Sequence, residues 1–252
     1  MEAVGLGIGA LGLAGLFNNA VDCFEFVQLG RDFGKDFGTS QLQLDNTRLR
    51  LTRWGEAVHV QENEGSLPPA ELEQAKKTIG QILFLFAQAE GVSEDVKRKA
   101  GSATELAAYD PNSDMEDRLM PLHEHMRSIA QARQKKVGLR RKTKWALYGR
   151  GHFMALLENI RALLDDLEKM VPARRDAQRS LCEEEVSIMN GNVDLPLLES
   201  VAADQDPDLR EAVKKVLDKK EERPPNVIFS GADNRGFQLG HNSGSISGFT
   251  FG

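Results

Sequence analysis

Between about Thr39 and Glu222 the apolar residues recur mostly three and four positions apart, and strand-type alternation is scarce, so the pattern predicts an all-α body. Leu42, Leu44, Leu49, Leu51, Trp54 and Val58 mark one helix, with Thr39 or Ser40 as its cap. Ser66, Pro68 and Pro69 read as the start of another, running through Ile79, Ile82, Leu83, Leu85 and Phe86 towards Gly91. Asp114 is expected to open a third that carries Leu119, Leu122, Met126 and Ile129. The clearest stripe, Phe153, Leu156, Leu157, Ile160, Leu163, Leu164 and Leu167, predicts a helix from His152 to Val171, stopped by Pro172. Glu183, Glu184 and Glu185 then begin a more polar region, and Asp206 with Pro207 starts a last charged helix through Lys220, suited to act as a semi-rigid spacer.

Both ends break this pattern. From Ala3 to Val21 no residue is charged, and a helix of that length would reach about 28 Å, marginal against the roughly 30 Å of a bilayer's hydrocarbon core. No basic stretch precedes the run and no small-x-small cleavage site follows it, so the segment is expected to be retained. Small residues stand four apart at Ala3 and Gly7, Gly5 and Gly9, and Ala10 and Ala14, a spacing that lets helices approach closely. Two readings stand side by side: a buried N-terminal helix, or a membrane-inserting one whose candidate residues are Ala3, Gly5, Gly9, Leu13, Leu16, Phe17 and Val21. A helix buried in one state and released to lipid in another would satisfy both.

At Arg223, Pro224 and Pro225 the charged pattern stops, and the tail from there carries only three charges, Arg223, Asp233 and Arg235. Asn234, Gly236, Gln238, Gly240, Asn242 and Gly244 occupy alternate positions in nearly palindromic order, with Phe237 and Leu239 on the opposite parity. Period two belongs to strands. Alone, the tail has too little apolar surface to offset its ordering entropy and is expected to be disordered as a monomer. In-register copies would pair every backbone group and stack Asn234, Gln238 and Asn242 into amide ladders, which predicts cross-β assembly. The boundaries that follow are a helical domain over 1–222 and an amyloid-forming motif over 223–252.

Composition narrows the function classes. The 252 residues carry 32 basic and 38 acidic side chains, a net charge of −6, so the overall basic footprint of a nucleic-acid binder is missing and none is expected as a partner. Two cysteines, Cys23 and Cys182, cannot staple a secreted domain, and they favour a reducing compartment. From Arg127 to Arg150 nine basic residues occur without an acidic one; Arg140, Arg141, Lys142 and Lys144 are candidate contacts to anionic lipid, although a solvated helical face is the more frequent explanation of such a run. Trp145 and Tyr148 beside it suit either a membrane interface or the core.

Catalytic signatures do not emerge. Gly30, Gly34 and Lys35 have three residues between the glycines where a phosphate loop needs four, and Asp36 stands where it needs Ser or Thr. His123 and His125 lie two apart, on different sides of a helix, and read as surface histidines. Neither cysteine has a histidine neighbour in sequence, and there is no serine nucleophile elbow. The chain is expected to be non-enzymatic, with no cofactor.

Three segments carry a family resemblance: Ala14-Gly15-Leu16-Phe17-Asn18-Asn19 continuing through Val21-Asp22-Cys23-Phe24-Glu25 and Val27-Gln28-Leu29-Gly30-Arg31; Arg53-Trp54-Gly55-Glu56-Ala57-Val58; and Lys142-Thr143-Lys144-Trp145-Ala146-Leu147-Tyr148. Together they resemble the HeLo domain of fungal HET-S-type incompatibility and prion proteins. The resemblance implies an α-helical globular domain, often dimeric, that exposes its N-terminal helix and disrupts membranes to kill the cell, resting in the cytoplasm and acting at the plasma membrane. The tail lacks the two longer pseudo-repeats of HET-S and instead resembles the pseudo-palindromic amyloid motif of related fungal effectors. Its centre, Phe237-Gln238-Leu239-Gly240, is similar to the core of the animal RHIM amyloids. This implies self-assembly and an upstream nucleotide-binding receptor bearing a similar motif. A non-toxic prion or inhibitory partner with the same fold and tail is the alternative.

Overall fold

The computed structural model describes residues 11–62, 67–100, 108–134 and 144–221. The chain divides into two units, Met1–Val213 and Lys214–Gly252. Helices dominate, as the periodicity predicts: α1 (Leu13–Phe26), α2 (Phe37–Ala57), α3 (Pro69–Ala100), α4 (Pro111–Asp114), α5 (Met120–Ala132), α6 (Arg150–Met170), α7 (Arg175–Met189), α8 (Leu195–Ala202) and α9 (Pro207–Glu221). Within the first unit α2 is the hub, packed by α1, α5, α6, α7 and α8, while α3 lies along α1 and α6.

The structure shifts several expected boundaries. Thr39 and Ser40 lie inside α2, because a 3₁₀ turn from Arg31 to Asp36 leads straight into it and Gly34 O accepts the Phe37 N–H. Asp114 ends a one-turn helix: its carboxylate accepts the Asp110 N–H at 2.8 Å, and α5 starts only at Met120. Gly91 does not stop α3, which continues to Ala100. The polar region around Glu183 is helix α7, with Gln178, Cys182, Glu185, Val186 and Met189 buried. The charged helix after Asp206 is present as α9.

A small parallel sheet, missed by the all-α reading, pairs β1 (Val27–Leu29) with β2 (Trp145–Leu147) in the register Val27 to Trp145 and Leu29 to Leu147. Three-residue strands are too short for alternation to show. Trp145 and Tyr148 are therefore core residues on extended chain. Gly30 allows this closure, since a Cβ there would lie 2.3 Å from the Tyr148 ring.

Candidate functional site: the seat of the N-terminal helix

α1 is short for its apolar run. Gly12 is extended (φ −67°, ψ 170°), so the described helix begins at Leu13 rather than continuing the uncharged segment upstream. Leu13, Leu16, Phe17, Ala20, Val21 and Phe24, three and four apart, are all buried. Phe24 meets Phe86 of α3 edge-on with ring centroids 4.9 Å apart. Phe17, fully buried, sits against Gly55 of α2, where an added Cβ would stand 2.3 Å from the ring. At about 1.5–3 kcal/mol for each large buried side chain, exposing this face to water would cost on the order of 10 kcal/mol. The helix does not leave its seat unaided.

A polar rim fastens the same helix. Asn18 and Gln61 exchange hydrogen bonds, Gln61 Nε2 donating to Asn18 Oδ1 at 2.7 Å and Asn18 Nδ2 to Gln61 Oε1 at 3.3 Å. Gln61 is brought there by the turn that ends α2, in which Val60 N–H reaches Gly55 O and His59 N–H reaches Glu56 O with His59 left-handed at φ 56°. From the end of α5, Gln134 Nε2 donates to Asn18 O at 3.2 Å and to the Asp22 carboxylate. Glu25 accepts from Arg48 and from Gln131, each at 2.9 Å. Burial pushes the Glu25 carboxyl up, but Arg48, Gln131 and Arg127 outweigh it and hold the group below the ordinary carboxylate range.

Beneath the seat lies a buried ionic cluster on α2. Arg53 donates to Glu185 of α7 at 2.6 to 3.1 Å and to Asp206, at the foot of α9, at 2.8 and 3.0 Å. Arg133 donates to the same Glu185. Arg50 reaches Glu168 and Asp165 of α6 and the Gln205 carbonyl. Burial alone would disfavour the charge on Arg53, yet Asp206 and Glu185 overcome it, so its proton is held more tightly than a free arginine's. Trp54 Nε1 donates to Leu167 O at 3.1 Å. Asp206 also accepts the Leu209 N–H, capping α9 with a group already engaged inside.

The structure therefore places Leu13, Leu16, Phe17 and Val21 together in the seat. Ala3, Gly5, Gly9, the motif from Asn234 to Gly244 and the basic residues Arg140, Arg141 and Lys142 lie outside the described residues. Lys144 is exposed just before β2, whereas Arg133 of the same basic stretch is turned inward. His123, expected at the surface, is instead buried on the inner face of α5, its Nδ1 2.6 Å from Asp45 Oδ2. Asp45 satisfies it while also accepting from Gln41 at 3.1 Å. Among the described residues no helix is long and apolar enough to cross a membrane.

The polar rim went unread in the sequence, where Asn18, Gln61 and Gln134 look ordinary. A usable signal existed in α2: Arg48, Arg50 and Arg53 interleave with Leu49, Leu51 and Trp54, so burying those apolar residues on more than one side of the helix takes cations inside with them, and these need interior partners.

The three segments that carry the resemblance meet in space. Phe17 rests on Gly55, and the strand after α1 pairs with Trp145-Ala146-Leu147. The profile of the HeLo family, described as prion-inhibition and propagation, matches residues 5–198, and that of the SesB domain, described as occurring on fungal death-pathway protein, matches residues 225–248. Heterokaryon incompatibility protein S of Podospora anserina is 34% identical over 214 residues, covering 83% of this chain and 73% of the relative. Heterokaryon incompatibility protein s of the same organism is 34% identical over 221 residues, 86% of this chain and 75% of the relative. The solved HET-s N-terminal domain superposes with a TM-score of 0.78 at 33% identity, covering 84% of this chain and 100% of that domain. A doubly substituted variant of it gives 0.76 at 32% identity, covering 82% and 99%.

Proposed function

Because this chain belongs to the HeLo family of prion-inhibition and propagation domains, we propose that it is an amyloid-activated, membrane-disrupting executioner of fungal programmed cell death, of the heterokaryon-incompatibility or immune type. The observation that carries this reading is the seat of α1: an apolar face sequestered under a polar rim, at the end of an uncharged run that extends upstream to Ala3. Residues 1–222 act as the executing domain and 223–252 as the templated motif. The match of residues 225–248 to a domain on fungal death-pathway protein supports that division.

The energetics set the order of events. Release into water is opposed by the burial of α1, so amyloid stacking of the tail and burial of the run in lipid must together exceed that cost. The partners are further copies of the chain, a nucleotide-binding receptor with a similar motif, and anionic lipid reached through Arg140, Arg141, Lys142 and Lys144. The protein rests in the cytoplasm and acts at the plasma membrane.

The test is leakage of anionic liposomes by the full chain seeded with preformed fibrils of residues 223–252. Seeding should start leakage, and Gln238→Pro or Gly240→Pro should abolish templating, because each puts a ring in a strand that pairs on both sides. Leu11, 40% exposed at the edge of the seat, offers a cleaner insertion probe than buried Leu13. Leu11→Asp should leave fold and fibrils intact while suppressing leakage. Fibrils that grow beside intact liposomes would instead favour the non-toxic prion or inhibitory partner; the relatives named S and s are equally identical to this chain and do not choose between the two.

A further inference from the structure

Arg133 and Gln134 are neighbours at the end of α5, and their side chains serve opposite masters. Arg133 donates to Glu185 inside the ionic cluster, while Gln134 donates to the Asn18 carbonyl at 3.2 Å and to the Asp22 carboxylate on α1. On the far side of the cluster, Asp206 accepts from Arg53 at 2.8 and 3.0 Å and from the Leu209 N–H at 3.2 Å. An unbroken series of direct hydrogen bonds therefore runs from the first turn of α9 through Asp206, Arg53, Glu185 and Arg133, and the next residue along the chain grips α1.

The charges in this series balance. Two guanidiniums, Arg53 and Arg133, face two carboxylates, Glu185 and Asp206, and every one of these side chains is at most 10% exposed; Arg50 beside them has carboxylates of its own, buried Glu168 and half-exposed Asp165. A buried charge without a partner is far costlier than a pair. Should Asp206 leave with the first turn of α9, one positive charge would be in excess. Arg50 and Arg53 are the deeper cations, with side chains 5% and 3% exposed, while Arg133 stands at 10% on a helix terminus. Arg133 is the charge that can move to water.

We propose that the Arg133–Gln134 corner is a charge-balance latch: loss of Asp206 from the cluster expels Arg133, and Gln134, carried with it, lets go of Asn18 and Asp22. The inference deepens the reading of α1 as the released element, and it concerns the resting monomer alone, so it is tested without lipid or fibrils and its failure is distinct from a failure to permeabilise membranes.

The experiment is hydrogen exchange of the full-chain monomer, read separately for residues 13–26 and for the core of α6. Asp206→Asn keeps a capping side chain and removes the charge. It should speed exchange in 13–26 by about tenfold or more while leaving the α6 core protected. Asp206→Asn combined with Arg133→Met restores the balance and should return most of the protection. Gln134→Ala, which leaves every charge in place, should loosen 13–26 alone and serves where the charge variants fold poorly. Equal acceleration throughout the domain, no rescue in the double variant, or unchanged exchange in Gln134→Ala would each overturn the latch.

Discussion

The ring of Phe17 fills the space that any side chain at Gly55 would require, with its Cε2 and Cζ atoms each 2.3 Å from where a Cβ would stand. The two residues belong to separate stretches of the family signature, and their contact is the reason α1 can lie so close to α2.

Gly55→Ala is accordingly expected to destabilise the domain by about 1–3 kcal/mol, the cost of overpacking a filled core. The loss should concentrate in α1. Urea unfolding checks the magnitude, and the double variant Gly55→Ala with Phe17→Leu, which trades ring for methyl, should recover part of it as a coupling of about 0.5 kcal/mol or more.

Glu25 gives the hold on α1 an acid dependence. Its carboxyl is held below the ordinary range, so its contribution is fully present above the unfolded value of about 4.3 and fades as pH falls through the lower folded one. Stability followed from pH 7 towards pH 3 should fall more steeply in the parent than in Glu25→Gln. Identical slopes would show that the pair with Arg48 contributes nothing.

The two cysteines report on different parts of the fold. Cys23 lies on α1, and Cys182 on α7 is fully buried with its thiol pushed up by burial. Pulsed alkylation of the resting monomer should leave both unmodified. On fibril seeding, Cys23 should become reactive well before Cys182; simultaneous labelling would mean that the domain unfolds as a whole.

Much of this architecture was legible in the sequence, for identifiable reasons. The helix now called α6 announced itself by a full apolar stripe and a proline stop, and α9 by Asp206 and Pro207. The helix α7 did not, because Glu185 and Gln178 occupy interior positions that are usually apolar, and the partner of Glu185, Arg53, lies 132 residues away. His123 misled in the same way: the aspartate that buries it is 78 residues upstream. Leu13, Leu16, Phe17 and Val21 could be read as one apolar face, whereas the rim could not, since Gln61 and Gln134 reach Asn18 from 43 and 116 residues away. Spacing reports what lies along one helix; pairing across helices is written only in the folded chain.

If α1 must leave its seat for membranes to fail, pinning it there will stop leakage. Asn18→Cys with Gln61→Cys, bridged through a short linker that reduction cleaves, pins α1 to the end of α2 at a point where the two side chains already touch. The bridged protein, seeded with fibrils of residues 223–252, is expected to assemble normally but leave liposomes intact, and cleaving the linker should restore leakage. Leakage as fast from the bridged protein as from the cleaved one would show that membranes fail with α1 still in its seat.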